Sequence, residues 1–373
     1  MVLAFAYSRR YNTRLAVIVS TQEPRDRAWV EVNLANLIAN ARTVQRAAAG
    51  APLLPMVKAN SYGLGAVRVA QELEGLGPWG FGVATVAEAR QLRAAGITRP
   101  IVVFTPTTIE KQVEYEALEL RAVLDDPTVA QQWAIPFHLE IDSGMGRCGL
   151  RFDDERLATI TSPHLEGVFT HLFAADDRPQ SVAEQWARFE AALQRIPRND
   201  FMVHAANSAG AWRLERRLDL IRPGIFLYGG RCGADLPAPK PVAAVRAKIA
   251  SLRMLPRGAT VSYGGEWAAP TDTTVATLSI GYADGVKWAA KGHAAVLLHG
   301  SRYPVVGRIT MDFVMVNLGP GATSAAIGDV ATLIGRDGSA EITVDEFAGW
   351  AGTISYEVLT GLGSRLPREY VSS

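Results

Sequence analysis

The chain has 373 residues, more than one hydrophobic core ordinarily serves, so two domains are expected. Its 38 Lys and Arg balance 37 Asp and Glu for a net charge of +1, which removes the electrostatic case for nucleic acid or an anionic membrane as partner. Hydrophobic residues make up 48%, ample for a large core, yet no apolar run approaches the roughly 18 residues of a membrane span.

Residues 1–26 hold basic residues and the run LAVIV, shorter than a signal-peptide core and followed by no small-residue cleavage site. They read as an N-terminal extension. With only Cys148 and Cys232 in the chain, a reducing, cytoplasmic location is expected, although a disulfide between the two is conceivable. The strand AWVEVNL (28–34) follows and has no obvious place in the pattern after it; pairing with a later domain would account for it.

From 52 to 230, short apolar runs alternate with amphipathic stretches such as VAEARQLRAAG. The runs are PLLPMVKAN (52–60), GFGVAT (80–85), PIVVFT (100–105), RAVLDD (121–126), FHLEID (137–142), LEGVFTHL (165–172), FMVHAAN (201–207) and DLIRPGIFLY (219–228). Eight strands interleaved with helices predict a (β/α)8 barrel of the TIM type. CGADLPAPKPVA (232–243) reads as a linker. Beyond it, glycine-punctuated β segments form a second, mostly β domain that ends in the helical DEFAGWAGTISYEVLTGL. The expected division is extension 1–26, barrel 27–240 and β domain 241–373.

Lys58 ends the first predicted strand, on the face where barrels place their chemistry. A lysine partly withdrawn from water there has a lowered pKa and can act as a Schiff-base nucleophile. The plainer alternative is a snorkelling surface lysine. Tyr62, Gly63 and Gly65 add a hydroxyl and a flexible turn. On strands seven and eight, His204-Ala-Ala-Asn207-Ser208 and Arg222-Pro-Gly224-Ile225 fall where such barrels bind phosphate, with Ser208 expected to open the next helix. An N-cap serine and a turn glycine are the ordinary readings of those residues taken singly.

VKANSYGLG resembles the lysine motif of the alanine racemase family. HLEIDSGMGRCGL, FTHLFAADD, HAANSAGAW, IRPGIFLYG, VSYGGEW, LSIGYADG, GRITMDFVMVNLG and TISYEVLTGLGSRLPREY continue the resemblance in order over about residues 27–370. The resemblance implies a pyridoxal 5'-phosphate (PLP) barrel, a C-terminal β domain and a homodimer with shared active sites, acting on a small amino acid. It implies that Lys58 carries the cofactor and serves as one base, while Tyr263 from the partner subunit serves as the other. Arg222 matches the arginine at the pyridine nitrogen, and His171 a histidine supporting that arginine. Tyr62, Ser208, Gly224, Ile225 and Tyr356 match phosphate contacts, and Asn207 a further cofactor contact. Arg147 and the backbone of Met311 match groups at the substrate carboxylate, and Tyr282 another substrate contact.

The chemistry agrees with those roles, since racemisation removes a proton from one face of Cα and returns one to the other. An arginine behind the pyridine would keep its nitrogen unprotonated and limit side reactions such as transamination.

Three residues depart from the family pattern. Leu64 stands where histidine is frequent. Trp288 lies near a place where many members carry an entrance arginine. Glu140, seven residues before Arg147, occupies the position of a lysine that many members carry as a carbamate; its carboxylate would take over the task of orienting Arg147, the plainer alternative being a side chain turned to solvent or to the barrel's helix layer. No metal site is expected. The resulting expectation is a racemase interconverting L- and D-alanine for cell-wall synthesis. A racemase for serine or another small amino acid, a decarboxylase of the same barrel type and a PLP carrier without turnover are its rivals.

Overall fold

The computed structural model describes residues 3–6, 15–18, 25–214, 218–321 and 324–372. Most of the expected extension lies outside the described residues; within it, Leu3–Ala6 pairs antiparallel with Leu15–Ile18.

Six parallel strands, Phe81–Val83, Ile101–Val103, Leu120–Leu124, Phe137–Asp142, Leu165–Phe169 and Met202–His204, lie side by side in chain order. The barrel is closed by two segments that touch their neighbours through isolated bridges, Met56 to Gly82 and Leu53 to Ile221. Leu54 N–H donates to Ile221 O (2.8 Å), Ile221 N–H to Pro52 O (3.0 Å) and Arg222 N–H to Ala206 O (2.8 Å). Pro52, Pro55 and Pro223 have no N–H to give, so these two staves cannot hold a continuous ladder. Both are therefore shorter than expected. The first stops at Val57 and the second gives way to a 3-10 turn, Ile225–Tyr228.

Inside the barrel, Leu54, Val102, Val123, Phe169 and Leu220 pack together, and each such side chain contributes about 1.5–3 kcal/mol by leaving water. Outward-facing Ile101, Val103, Leu139 and Val168 meet the surrounding helices in the larger core. The helix Val86–Ala94 starts on a capping box between Thr85 and Glu88.

The second domain is built on the strand Ala243–Leu255, which pairs antiparallel with Thr273–Leu278 and Val330–Asp337. Ala28–Asn33 joins the same sheet, antiparallel to Ala243–Ala247 and parallel to Arg368–Val371. This accounts for the strand that had no barrel slot, and it corrects the expected boundary: residues 28–33 belong to the β domain's sheet although they precede the barrel. The terminal helical stretch forms Val344–Trp350 and Ser355–Thr360. The second of these helices crosses the barrel mouth so closely that a Cβ on Gly63 would lie 2.3 Å from Leu359 O.

Candidate active site

A cavity of about 500 Å³ opens at the carboxyl ends of the barrel strands. Lys58, Tyr62, His171, Asn207, Ser208, Arg222, Gly224, Ile225, Glu140 and Arg147 line it from the barrel, and Tyr356 lines it from the second domain.

Lys58 enters the cavity where the first stave ends in an unusual turn. Ala59, Asn60, Ser61 and Tyr62 all have φ of 52–54°, a run of left-handed backbone that costs roughly 1–2 kcal/mol per non-glycine residue. Hydrogen bonds offset this: Glu88 Oε1 accepts from Ala59 N–H (2.6 Å) and Asn60 Oδ1 from Ala66 N–H (2.8 Å). Stacking of Tyr62 on Tyr228, 4.6 Å between centroids, adds to the anchorage. Burial lowers the Lys58 pKa, and the positive charges of Arg147 and Arg222 lower it further against the pull of Glu88. Such a lysine is a better nucleophile and base at neutral pH.

Arg222 lies at the floor, 3% exposed. Its Nη1 meets His204 Nδ1 at 2.7 Å and its Nη2 donates to Thr170 O at 2.8 Å. Phe169 lies under the guanidinium at 4.9 Å. Burial brings its pKa down to about 10, so it keeps its charge at neutral pH. The histidine that meets Arg222 through a hydrogen bond is His204. His171 lines the cavity wall, where burial and then the charges of Arg222, Arg147 and Lys58 push its pKa down to about 3 and keep it neutral.

Ser208 does not open a helix. Its Oγ accepts from Gly224 N–H (2.9 Å) and Phe226 N–H (3.4 Å), tying the seventh stave to the eighth. The short helix Gly210–Arg213 is instead met by Asn207, whose Oδ1 accepts from Gly210 N–H (2.9 Å). At this corner the Tyr62 hydroxyl overhangs Gly224, where a Cβ would sit 2.2 Å from it. Tyr356 approaches Tyr62 with 6.1 Å between ring centroids. The two hydroxyls and the Ile225 N–H have no hydrogen-bond partner among the described residues. Three unspent donors in one corner suit an anion the size of phosphate, and Lys58 and Arg222 are the groups that PLP requires further in.

Across the cavity Arg147 Nη2 faces Glu140 Oε1 at 4.0 Å. The Glu140 side chain is 5% exposed, so it points neither to solvent nor to the helix layer. Burial raises its carboxyl to about 7 even though Arg147 and Arg222 pull it down.

Tyr263, Tyr282 and Met311 are not in this cavity. They stand on an open face of the β domain, Tyr263 at 72% exposure, with Phe313 and Trp288 also exposed on that domain. Tyr282 N–H donates to Thr310 O and Ala283 N–H to Met311 O, which holds two of these loops together. Buried Asp284 fixes them to Arg27 in a bidentate pair at 2.8 Å. Lys291 lies 4.2 Å over the Trp288 ring, so that residue packs against a cation of its own chain. Cys148 and Cys232 are both free.

Sequence reasoning passed over Met56, Ala59, Phe104, Phe169, Ile354, Glu357 and Thr360, which complete the lining, and gave no role of their own to His204 or His138. The three-residue spacing of Ile354, Glu357 and Thr360 along the last helical stretch is the one signal that marks a shared face.

The model of the alanine racemase N-terminal domain matches residues 32–232 and that of the C-terminal domain residues 242–370. The alanine racemase of Carboxydothermus hydrogenoformans is 36% identical over 92% of this chain and 99% of its own length. Among solved structures, alanine racemase from Bacillus anthracis with bound L-Ala-P aligns at a TM-score of 0.85 and 30% identity, covering 94% of this chain and 96% of that one. Alanine racemase from Bartonella henselae with covalently bound pyridoxal phosphate aligns at 0.84 and 29% identity, covering 92% of this chain and 99% of that one.

Proposed function

The chain belongs to the alanine racemase family, and we propose that it interconverts L- and D-alanine with PLP held on Lys58 and proton transfer shared between Lys58 and a Tyr263 contributed by a second copy. One observation carries this reading. Lys58, Arg222 and the unspent donors of Tyr62, Tyr356 and Ile225 converge in a single cavity at the catalytic face of the barrel.

PLP bound there supplies an electron sink for negative charge developing at the substrate's Cα. The residues do the rest. Lys58, with its lowered pKa, takes or returns a proton on the face it occupies. Arg222 fills the floor with fixed positive charge and has no proton to give up at neutral pH. Arg147 offers its guanidinium to the substrate carboxylate, and Glu140 stands in for the carbamylated lysine of other family members by holding that guanidinium from behind. His171 is neutral and adds no charge to the wall.

The opposite face of Cα needs its own acid–base group, and among the described residues the one carboxylate of the lining without a role, Glu357, is already paired with Lys287 and Thr353. Tyr263 is exposed in a hollow shared with Thr310 and Phe313, and Thr310 O accepts the N–H of Tyr282, another group expected to reach a neighbouring site. A homodimer that docks this patch on the partner's barrel mouth completes both sites. No helix among the described residues is long and apolar enough to cross a membrane. We place the enzyme in the cytoplasm, where its two thiols stay reduced and D-alanine feeds wall synthesis.

Incubating purified protein and PLP with L-alanine in D2O tests the reading. Chiral analysis should show D-alanine carrying deuterium at Cα. Cofactor binding without deuterium exchange would point to a carrier, and CO2 release to a decarboxylase.

A further inference from the structure

Behind Arg222 a line of hydrogen-bonded side chains leads through two buried histidines to the partly exposed Glu166 and Arg121. His204 Nδ1 meets Arg222 Nη1 at 2.7 Å, and His204 Nε2 meets His138 Nδ1 at 2.8 Å. His138 Nε2 meets Glu166 Oε2 at 3.3 Å, and Glu166 pairs with Arg121 at 3.1 Å. Both imidazoles are fully buried. The packing makes room for them: a Cβ on Gly167 would fall 2.6 Å from His138 Nδ1, and His204 stacks on Phe169 with 4.9 Å between centroids.

The proton on each ring follows from donor chemistry. Arginine has donors only, so His204 Nδ1 must accept and its single hydrogen sits on Nε2. That hydrogen points at His138 Nδ1, which must accept in turn, so His138 carries its hydrogen on Nε2 and donates it to Glu166. Burial disfavours a charge on either ring, which leaves the neutral tautomers as the consistent set. Every donor in the line then points away from Arg222, and a carboxylate at the far end is what terminates it. Burial would raise that carboxyl, but the hydrogen bonds from His138 and Arg121 hold it below its ordinary value, ionised.

We propose that Glu166 is a positioning residue for the reaction: through His138 and His204 it sets the one hydrogen-bond direction in which Arg222 is held by an acceptor and keeps its remaining donors for the cavity. The inference rests on the reading that Arg222 faces the cofactor. Glu166→Leu is the informative change because it removes the oxygen that accepts from both His138 Nε2 and Arg121 Nε. With that acceptor gone, neither ring is held to the tautomer that leaves His204 Nδ1 free to accept from Arg222.

The test is 15N NMR of histidine-labelled holoenzyme at neutral pH, read beside steady-state kinetics. The wild type should show both buried rings neutral and protonated on Nε2 alone; an Nδ1–H or a cationic ring at either site overturns the proposal before any variant is made. Glu166→Leu should lose that tautomer at one or both rings and drop kcat about tenfold, the equivalent of one charge-assisted hydrogen bond, with KM for alanine within about twofold. Unchanged tautomers, or changed tautomers with wild-type kcat, defeat it. Because the tautomers are read without turnover, failure of the racemase assignment leaves a separate signature.

Discussion

Arg147 Nη2 stands 4.0 Å from Glu140 Oε1, a half-exposed guanidinium facing a carboxylate that is almost wholly buried. The pair is at the outer limit of an ion pair and is not a hydrogen bond, so the proposed orientation of Arg147 by Glu140 rests on charge. The motif position of Glu140 and its place in the cavity wall point to the same role.

Glu140→Gln should keep PLP bound and raise KM for alanine severalfold, with a smaller effect on kcat, in steady-state assays. The pH profile checks the cause. A carboxyl raised to about 7 is protonated below that pH, so wild-type KM should climb as pH falls through 7 while the Gln variant stays flat. Stability moves the other way. A folded-state pKa above the unfolded value favours the fold fully below about 4.5, and that contribution is lost as pH rises through about 7. Between those limits wild type should lose on the order of 2–3 kcal/mol relative to Glu140→Gln in chemical denaturation of the apoprotein. A Gln variant with wild-type KM and pH profile would show that this carboxylate does not orient Arg147.

Borohydride reduction of the holoprotein should fix the cofactor to the peptide containing Lys58, seen by mass spectrometry. Lys58→Ala should abolish both labelling and racemisation. Label on another lysine removes the assignment.

Tyr263→Phe should cut racemisation by about 10²–10⁴-fold while PLP remains bound, because one acid–base group is gone. With the Cα hydrogen of D-alanine taken by Lys58 and that of L-alanine by Tyr263, exchange should then survive better from D-alanine than from L-alanine. Mixing this variant with Lys58→Ala should restore part of the activity through hybrid dimers. Equal loss of exchange from both enantiomers would contradict a two-base division of labour.

Gly224→Ala would put a methyl 2.2 Å from the Tyr62 hydroxyl and force the tyrosine off its corner. Overpacking of this kind costs about 1–3 kcal/mol. Part of that cost should appear as a PLP Kd raised about tenfold in a fluorescence titration, and restoring space with Tyr62→Phe should recover little, because the hydroxyl itself is a donor.

The run of apolar strands and amphipathic helices, the PAPKP linker and the β-rich remainder were legible because strand and helix periodicity are local properties of the chain. So was the joint appearance of Lys58, Ser208, Arg222 and Gly224 at strand ends, since a barrel puts all those ends on one face. Tertiary structure decided what depends on contacts between distant residues. Ala28–Asn33 finds its partners more than 200 positions away, and no local pattern specifies which edge is free to receive it. The left-handed turn at 59–62 is held in part by Glu88, on the helix Val86–Ala94, which accepts the Ala59 N–H. His204 meets Arg222 because the register of neighbouring staves turns it inward onto the guanidinium. Sequence specifies residue types and their periods; which nitrogen meets which oxygen is set when eight staves close into one barrel.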